Sequence, residues 1–445
     1  MTDLDRFTQR IKNLCASNNE QPSIESTRAV VAEINRFLFT TYDDIGTVNT
    51  LGNNLQYFSE YHRFWNENYK TVLNLEINDD VCKSVATALH DVYMKTKGRA
   101  YTTVYNTNNL SKEDVCLIRM LTANQDFRGS RDFDKLSKLF IKDPSIFNVK
   151  KINEDPSNFI KCINMTNLSQ NDKRSSYAKK ICQFLIDKNA TPYEIIDRYN
   201  RNVTSLRQAL ITCNGAGYGK KKADMFIRDM IVLGIWDNVS GFDDIDVASD
   251  INTIKVSLRT GILSSAVPLV SSFLDVFGLQ YEYVDKMNVQ AWRRVWNFWN
   301  NDFPGESISS PCILDYFIYN VIGKQFCKDK LCTYRCENGH EFKRNGANIK
   351  TCPICRSNGI SASQVKIDKK VLPCTDEDGY IAICKSDFYK LNIASPNIKE
   401  CPFKAICDIT NKRQLEPPKA ISIMGQTGWT KAYTNQESGG GGLMS

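Results

Sequence analysis

At 445 residues the chain is too long for one core and implies about two to four domains. Hydrophobic residues at 42% with 24% charged describe a globular protein and exclude a disordered one. Subtracting 50 acidic from 57 basic residues leaves +7, an excess that permits a nucleic-acid partner without demanding one. No run approaches the roughly 18 apolar residues of a membrane span. The opening MTDLDRFTQR lacks the basic start and apolar stretch of a secretory signal, so a cytoplasmic protein is expected.

Residues 1–110 read as a helical N-terminal extension. Thr27 to Leu38 and Val81 to Met94 place apolar residues at helical spacing, with Ser23 and Asp79 or Asp80 as N-caps. His62 and His90 stand alone among aromatic and apolar neighbours and are read as structural. Residues 111–326 continue as helices broken by Asn-, Gly- and Asp-rich turns, which makes this core α-helical. Trp292, Trp296 and Trp299 fall at i, i+4 and i+7, the spacing of a core stripe.

Cysteines divide the chain unevenly. Seven of the 16 are scattered over the first 326 residues, and nine crowd between Cys327 and Cys407. Short spacings in a reducing compartment point to metal ligation, so residues 327–412 form a separate metal-binding module. Residues 413–445, with a glycine run at 439–442, read as a tail.

The most informative stretch runs from Ser205 to Leu233. One amphipathic helix leads into Gly215, Gly217 and Gly219, and a second opens at Lys220, Lys221 and Lys222. Glycines allow positive φ and close backbone approach. A helix starting just after them points its first N–H groups outward, which with three lysines makes a clamp for a DNA phosphate, independent of base identity. A P-loop is excluded, because no strand precedes the loop and the Gly-Lys-Ser/Thr ending is missing. A plain helix–turn–helix corner is the simpler alternative.

GYGKKKAD resembles the glycine hairpin of the helix-hairpin-helix DNA glycosylase superfamily, with the pattern Gly-x-Gly-x-Lys-x-Ala-Asp falling on Gly217, Gly219, Lys221, Ala223 and Asp224. VASDINTIKVSLRTG is similar to the family segment that carries its aspartate, here Asp250. LIRMLTANQDF resembles the family's opening helix at Thr122, Ala123, Asn124 and Gln125, and SSYAKKICQFL the helix before the hairpin. The four matches, in order, span residues 111–265. The chain departs from the pattern in its extra hairpin glycines, in Asn252 where the family has His, and in a Lys221-to-Asp250 interval about ten residues longer than usual.

The resemblance implies a base flipped out of the duplex and lost by cleavage of its N-glycosidic bond. Asp250 would stabilise the oxocarbenium-like sugar and activate water; at the head of an apolar-periodic helix it is equally placed as an ordinary N-cap. Lys221 stands where some members carry a Schiff-base lysine that cuts the strand. Gln125 or Asn124 is the candidate wedge that fills the vacated space. Asp243, Asp244 and Asp246 sit in the inserted segment and read as a solvated loop.

In the cysteine-rich module, Cys336-x3-His340, eleven residues and then Cys352-x2-Cys355 look like a zinc ribbon holding Zn²⁺, with Cys332 as the rival to His340. The segments around Cys327 and from Cys401 to Cys407 resemble parts of the glycosylase [4Fe–4S] loop, completed by Cys332 or Cys384. A second Zn²⁺ on Cys374, Cys384, Cys401 and Cys407 is the alternative. Lys343, Arg344, Lys350 and Arg356 add basic charge to the ribbon.

The expectation is therefore a mainly α helix-hairpin-helix DNA glycosylase fold with a helical extension and a zinc ribbon-like module. It would act as a monomer on DNA, away from membranes, hydrolysing the bond to a modified pyrimidine. The long extension and enlarged loop look more like a divergent branch, similar to α-glutamyl/putrescinyl thymine pyrophosphorylases and anti-phage glycosylases of modified bases. The alternatives are a base-modifying enzyme acting on hypermodified thymine or its pyrophosphate precursor, and a non-catalytic binder of modified DNA.

Overall fold

The computed structural model describes residues 3–16, 22–40, 55–102, 105, 107, 109–126, 132–166, 170–267, 279–326, 331–345, 351–360, 367–372, 381–382, 401–410 and 413–414. Among these the chain is mainly helical. The first twelve α-helices are α1 (Asp3–Ala16), α2 (Ile24–Thr40), α3 (Leu55–Leu73), α4 (Asp79–Thr96), α5 (Lys112–Thr122), α6 (Phe133–Lys142), α7 (Val149–Glu154), α8 (Pro156–Cys162), α9 (Asn171–Asp187), α10 (Val203–Thr212), α11 (Lys220–Val232) and α12 (Ile251–Thr260). A long helix, Leu279–Asp302, a π-helix, Ile318–Phe326, and a small sheet follow. Contacts group the chain into two compact units, one of Met1–Ala88, Asp250–Val295 and Ile318–Ser445, the other of Leu89–Ser249 and Trp296–Phe317.

In the second of these units the Asn- and Asp-rich turns are helix caps. Ser111 forms a capping box with Asp114 on α5, Asp132 caps α6, Asn148 caps α7, Asp155 caps α8 ahead of Pro156, and Asn202 caps α10. Each satisfies amides that a helix start leaves unpaired, typically contributing about 1 kcal/mol. Helix α9 buries Ala178, Ile181, Cys182 and Leu185 and packs against α7 and α8. Phe147 meets Phe140 and Phe159 edge to face at 5.5 and 5.8 Å.

Helix α11 is pinned by buried charge. Asp229 lies 2.9 Å from both Arg119 and Arg228, accepts from Tyr316 at 2.5 Å and from Tyr105 at 3.0 Å, while Arg228 also pairs with Asp315. Burial alone would raise the Asp229 carboxyl; the two guanidiniums overcome it and hold the group below the usual carboxylate range. The predicted tryptophan stripe is buried at Trp292 and Trp299 and half-buried at Trp296, whose indole donates to the Ile308 carbonyl at 2.9 Å. His90 stacks on Phe303 with 3.8 Å between centroids and meets Glu306 at 2.9 Å, a packing role.

In the first unit α1, α2 and α3 pack in succession. Ser23 caps α2 as expected, accepting from the Ser26 amide at 3.1 Å. Helix α4 is capped one residue earlier than the sequence suggests: Asn78, not Asp79 or Asp80, accepts from the Val81 amide at 3.1 Å. Asp79 instead pairs with Arg294 at 2.8 Å. Two-residue strands β1 (Glu76–Ile77) and β2 (Leu263–Ser264) pair antiparallel, and α12 packs against the π-helix. The small sheet has the order β4 (Glu341–Asn345), β3 (Leu331–Cys336), β5 (Ile367–Leu372), all antiparallel. His62 lies in α3, its side chain outside the described residues.

Candidate functional site

Helices α10 and α11 form a hairpin around residues 213–219. Gly215 and Gly217 adopt φ of 79° and 74°, a conformation side chains resist. Ala216 and Tyr218 point inward and are buried, Tyr218 donating to the Met120 carbonyl at 2.6 Å. Gly219 is the N-cap of α11 with φ −86° and makes no side-chain cap, so the first turn of α11 opens behind an exposed glycine. Lys220 and Lys221 are exposed on that turn. Its dipole and outward amides favour an anion there.

The loop is held from beneath by the two residues proposed as a wedge. Asn124 and Gln125 are buried rather than presented to solvent. The Asn124 amide donates to the Ala216 carbonyl at 3.0 Å and the Tyr177 carbonyl at 3.2 Å. Gln125 donates to Asn124 Oδ1 at 3.1 Å and the Arg174 carbonyl at 3.2 Å, and Arg174 returns a bond to the Gln125 carbonyl at 2.7 Å. Their burial gives them a bracing part.

The third lysine differs from the other two. Lys222 is half-buried, donates to the Asn124 carbonyl at 2.8 Å and lies 5.7 Å from the Tyr177 ring centroid. Burial pulls its pKa down to about 8; nearby Asp126 opposes the shift, while Arg174, Lys173 and Lys221 add to it. Asp224 pairs with Arg207, so α10 and α11 are cross-linked below the loop.

Asp250 is the N-cap of α12, as its position before an apolar-periodic run suggests. Its Oδ1 accepts from the Asn252 and Thr253 amides, both at 2.9 Å, and its own N–H donates to Thr253 Oγ1 at 2.8 Å, closing a capping box. The Asn252 side chain reaches Oδ2 at 3.4 Å. Gly323 of the π-helix lies against this start: a Cβ there would come within 2.7 Å of Asn252 Cβ. Between α11 and Asp250, Asp243 and Asp244 are exposed and Asp246 is half-buried, in keeping with a solvated loop. Segment 236–243 also lines an open groove of about 770 Å³ with Trp296, Asn300 and Ile308.

The candidate metal site is the clearest group. Cys336 ends β3, His340 follows a turn at Gly339 (φ 79°), and Cys352 caps the short helix Pro353–Ser357 that carries Cys355. The four ligand atoms lie within 4.8 Å of one another. Cys336 Sγ is 3.7 Å from Cys355 Sγ and 3.5 Å from His340 Nδ1, which is 3.2 Å from Cys355 Sγ and 4.0 Å from Cys352 Sγ. Tetrahedral Zn²⁺ with ordinary bond lengths needs about 3.8 Å between sulfurs and about 3.5 Å from sulfur to nitrogen. The set fits such an ion. Burial would raise the Cys336 thiol, but hydrogen bonds from the His340 and Asn338 backbone and from Cys355 and Cys352 hold it down to about 7, ready to ligate.

The other predicted ligands are not gathered into a group among the described residues. Cys401 is buried and Cys407 half-buried at the helix Lys404–Thr410. Cys332 sits in β3 with its side chain outside the described residues, as Cys327, Cys374, Cys384 and Lys350 are entirely. Sequence reasoning missed Tyr177, Tyr218, Asn288 and Gly323, whose parts depend on tertiary contacts that no local pattern announces. No family model matches the chain, and no curated protein aligns with it.

Proposed function

We propose that the protein is a DNA glycosylase of the helix-hairpin-helix class, hydrolysing the bond between deoxyribose and a modified pyrimidine. The observation that carries this reading is the hairpin: two positive-φ glycines lead to a helix start with no side-chain cap, beside exposed Lys220 and Lys221. Such a start receives a phosphate oxygen on backbone amides whatever the base sequence. Gly215, Gly217, Gly219, Lys220 and Lys221 form the clamp, and Asn124, Gln125 and Lys222 brace it.

In the reaction, water adds to the anomeric carbon as the carbon–nitrogen bond to the base breaks. The electron pair leaves with the base, and the water proton is taken up, leaving an abasic sugar. The carboxylate of Asp250 stabilises the cationic sugar and accepts the proton. Where Lys221 attacks instead of water, its amine displaces the base, loses its proton as the ring C1′–O4′ bond opens to an imine, and β-elimination then expels the 3′ phosphate and cuts the strand. Cys336, His340, Cys352 and Cys355 would hold zinc as a closed four-ligand site, where the ion would supply folding energy to the ribbon. Cys327, Cys401 and Cys407 with Cys332 or Cys384 would hold a [4Fe–4S] cluster, or Cys374, Cys384, Cys401 and Cys407 a second zinc, which metal analysis and visible absorbance distinguish.

A non-catalytic DNA binder is the second reading, favoured by the complete engagement of Asp250 Oδ1 in its cap. The test is incubation with genomic DNAs carrying different modified pyrimidines, followed by mass spectrometry of released bases and counting of abasic sites. Release from one class of DNA supports the enzyme. Tight binding without release from any of them supports the binder, and altered bases retained in the strand support a modifying enzyme.

A further inference from the structure

The bonds that orient the Asp250 side chain are short-range, and a capping box at a helix end frays easily in isolation. Here it is secured from outside α12. Thr253 Oγ1 is the hub: it accepts from the Asp250 N–H at 2.8 Å and from Asn288 Nδ2 at 3.2 Å, and lies 2.9 Å from the Asp250 carbonyl. The other end of the Asn288 carboxamide accepts from Ser257 Oγ at 2.5 Å, one helical turn beyond Thr253. One side chain on the long helix thus spans the first two turns of α12.

The setting of Asn288 sets it apart from an ordinary packing residue. Val284, Ala291, Trp292 and Val295, at i−4, i+3, i+4 and i+7, form a buried apolar stripe, and Asn288 is the polar side chain within it. Asn288, Thr253 and Ser257 are each 0% exposed. Asparagine is a weak helix former, and a buried carboxamide is tolerated only when its bonds are made. An apolar side chain would fill the place with less risk, yet it could not grip Thr253.

We propose that Asn288 is a positioning residue for Asp250, holding the α12 cap closed through Thr253 so that the carboxylate keeps one orientation. The inference rests on the glycosylase reading for the purpose of that orientation, while the bracing itself is measurable without any reaction. The test compares Asn288→Leu with Val284→Ala, a change in the same stripe that removes packing and no hydrogen bond. Amide hydrogen exchange is read at Asn252 and Thr253, whose N–H groups bond Asp250 Oδ1, alongside thermal melting. Base release from modified-pyrimidine genomic DNA supplies the kinetics.

Asn288→Leu removes the bonds to Thr253 and Ser257 and should speed exchange at the two amides by about tenfold or more beyond Val284→Ala. It should also lower the maximal rate of base release and leave the half-saturating DNA concentration unchanged. Ser257→Ala, which keeps the packing and removes one bond to Asn288, should move both readouts the same way by less, and serves if Asn288→Leu does not fold. Exchange and release that track Val284→Ala overturn the proposal. Faster exchange in a protein whose wild type releases no base from any DNA supports the bracing and removes the glycosylase reading instead.

Discussion

Gly217 and Tyr177 are in contact with no room between them: a Cβ on Gly217 would lie 2.6 Å from Tyr177 Cγ. With φ at 74° the position is closed to side chains on two independent grounds. Gly219, two residues on, has φ −86° and nothing within 4 Å of a Cβ. The two glycines therefore separate folding from binding. Gly217→Ala should lower stability by about 1–3 kcal/mol, the cost of a strained backbone position, and weaken DNA binding with it. Gly219→Ala should melt like the wild type and still bind DNA more weakly, because its methyl stands at the helix start. Thermal melts and fluorescence anisotropy on one duplex distinguish the two. Equal melting of both variants contradicts this division of roles between Gly217 and Gly219.

Lys220 and Lys221 are exposed on the first turn of α11 and are expected to meet phosphates. Replacing either with alanine should weaken binding to all sequences alike and reduce the slope of log affinity against log salt by about 1. Anisotropy at several salt concentrations measures it; a loss confined to one sequence contradicts a backbone clamp.

Partial burial pulls the pKa of Lys222 in the folded chain down to about 8, below its ordinary 10.5. The charged form is thus the disfavoured one in the fold. Its cost is present in full below about pH 8 and is relieved as pH rises toward 10.5, where the unfolded chain also loses the proton. The stability of Lys222→Met relative to wild type should accordingly shift in the wild type's favour between pH 7.5 and 10. Melting curves at both values test this; a constant difference contradicts it.

Much of this was written in the sequence because the relevant forces act locally. The metal set follows from Cys336-x3-His340 and Cys352-x2-Cys355, where short turns alone bring ligand pairs together. Asp250 and the glycine hairpin were legible for the same reason, since caps and positive φ belong to a few adjacent residues. The third strand β5 was not, because its partner β3 lies some thirty residues upstream and its pairing is set by tertiary contact. The burial of Asn124 and Gln125 was hidden too: polar side chains go inside only when distant carbonyls, here those of Ala216, Tyr177 and Arg174, accept their bonds. Nothing local in Ile318–Phe326 announces a π-helix or reports that Gly323 must pass Asn252.

The ribbon should carry one zinc per chain. Cys352→Ser should remove it, and acidification from pH 7 to 5 should release it, because protons compete with the metal for the thiolates and the imidazole. Elemental analysis after dialysis at each pH checks this, and circular dichroism should show the helices retained. Full zinc occupancy in Cys352→Ser contradicts the ligand set.

In the proposed reaction the Asp250 carboxylate acts on the sugar as well as capping α12. Asn is as good an N-cap as Asp, so Asp250→Asn removes the charge and keeps the helix start. Base release from modified-pyrimidine genomic DNA, quantified by mass spectrometry, should fall by about a hundredfold or more, with DNA affinity and melting temperature close to wild type. Release at the wild-type rate by Asp250→Asn would show that this carboxylate does nothing beyond its cap.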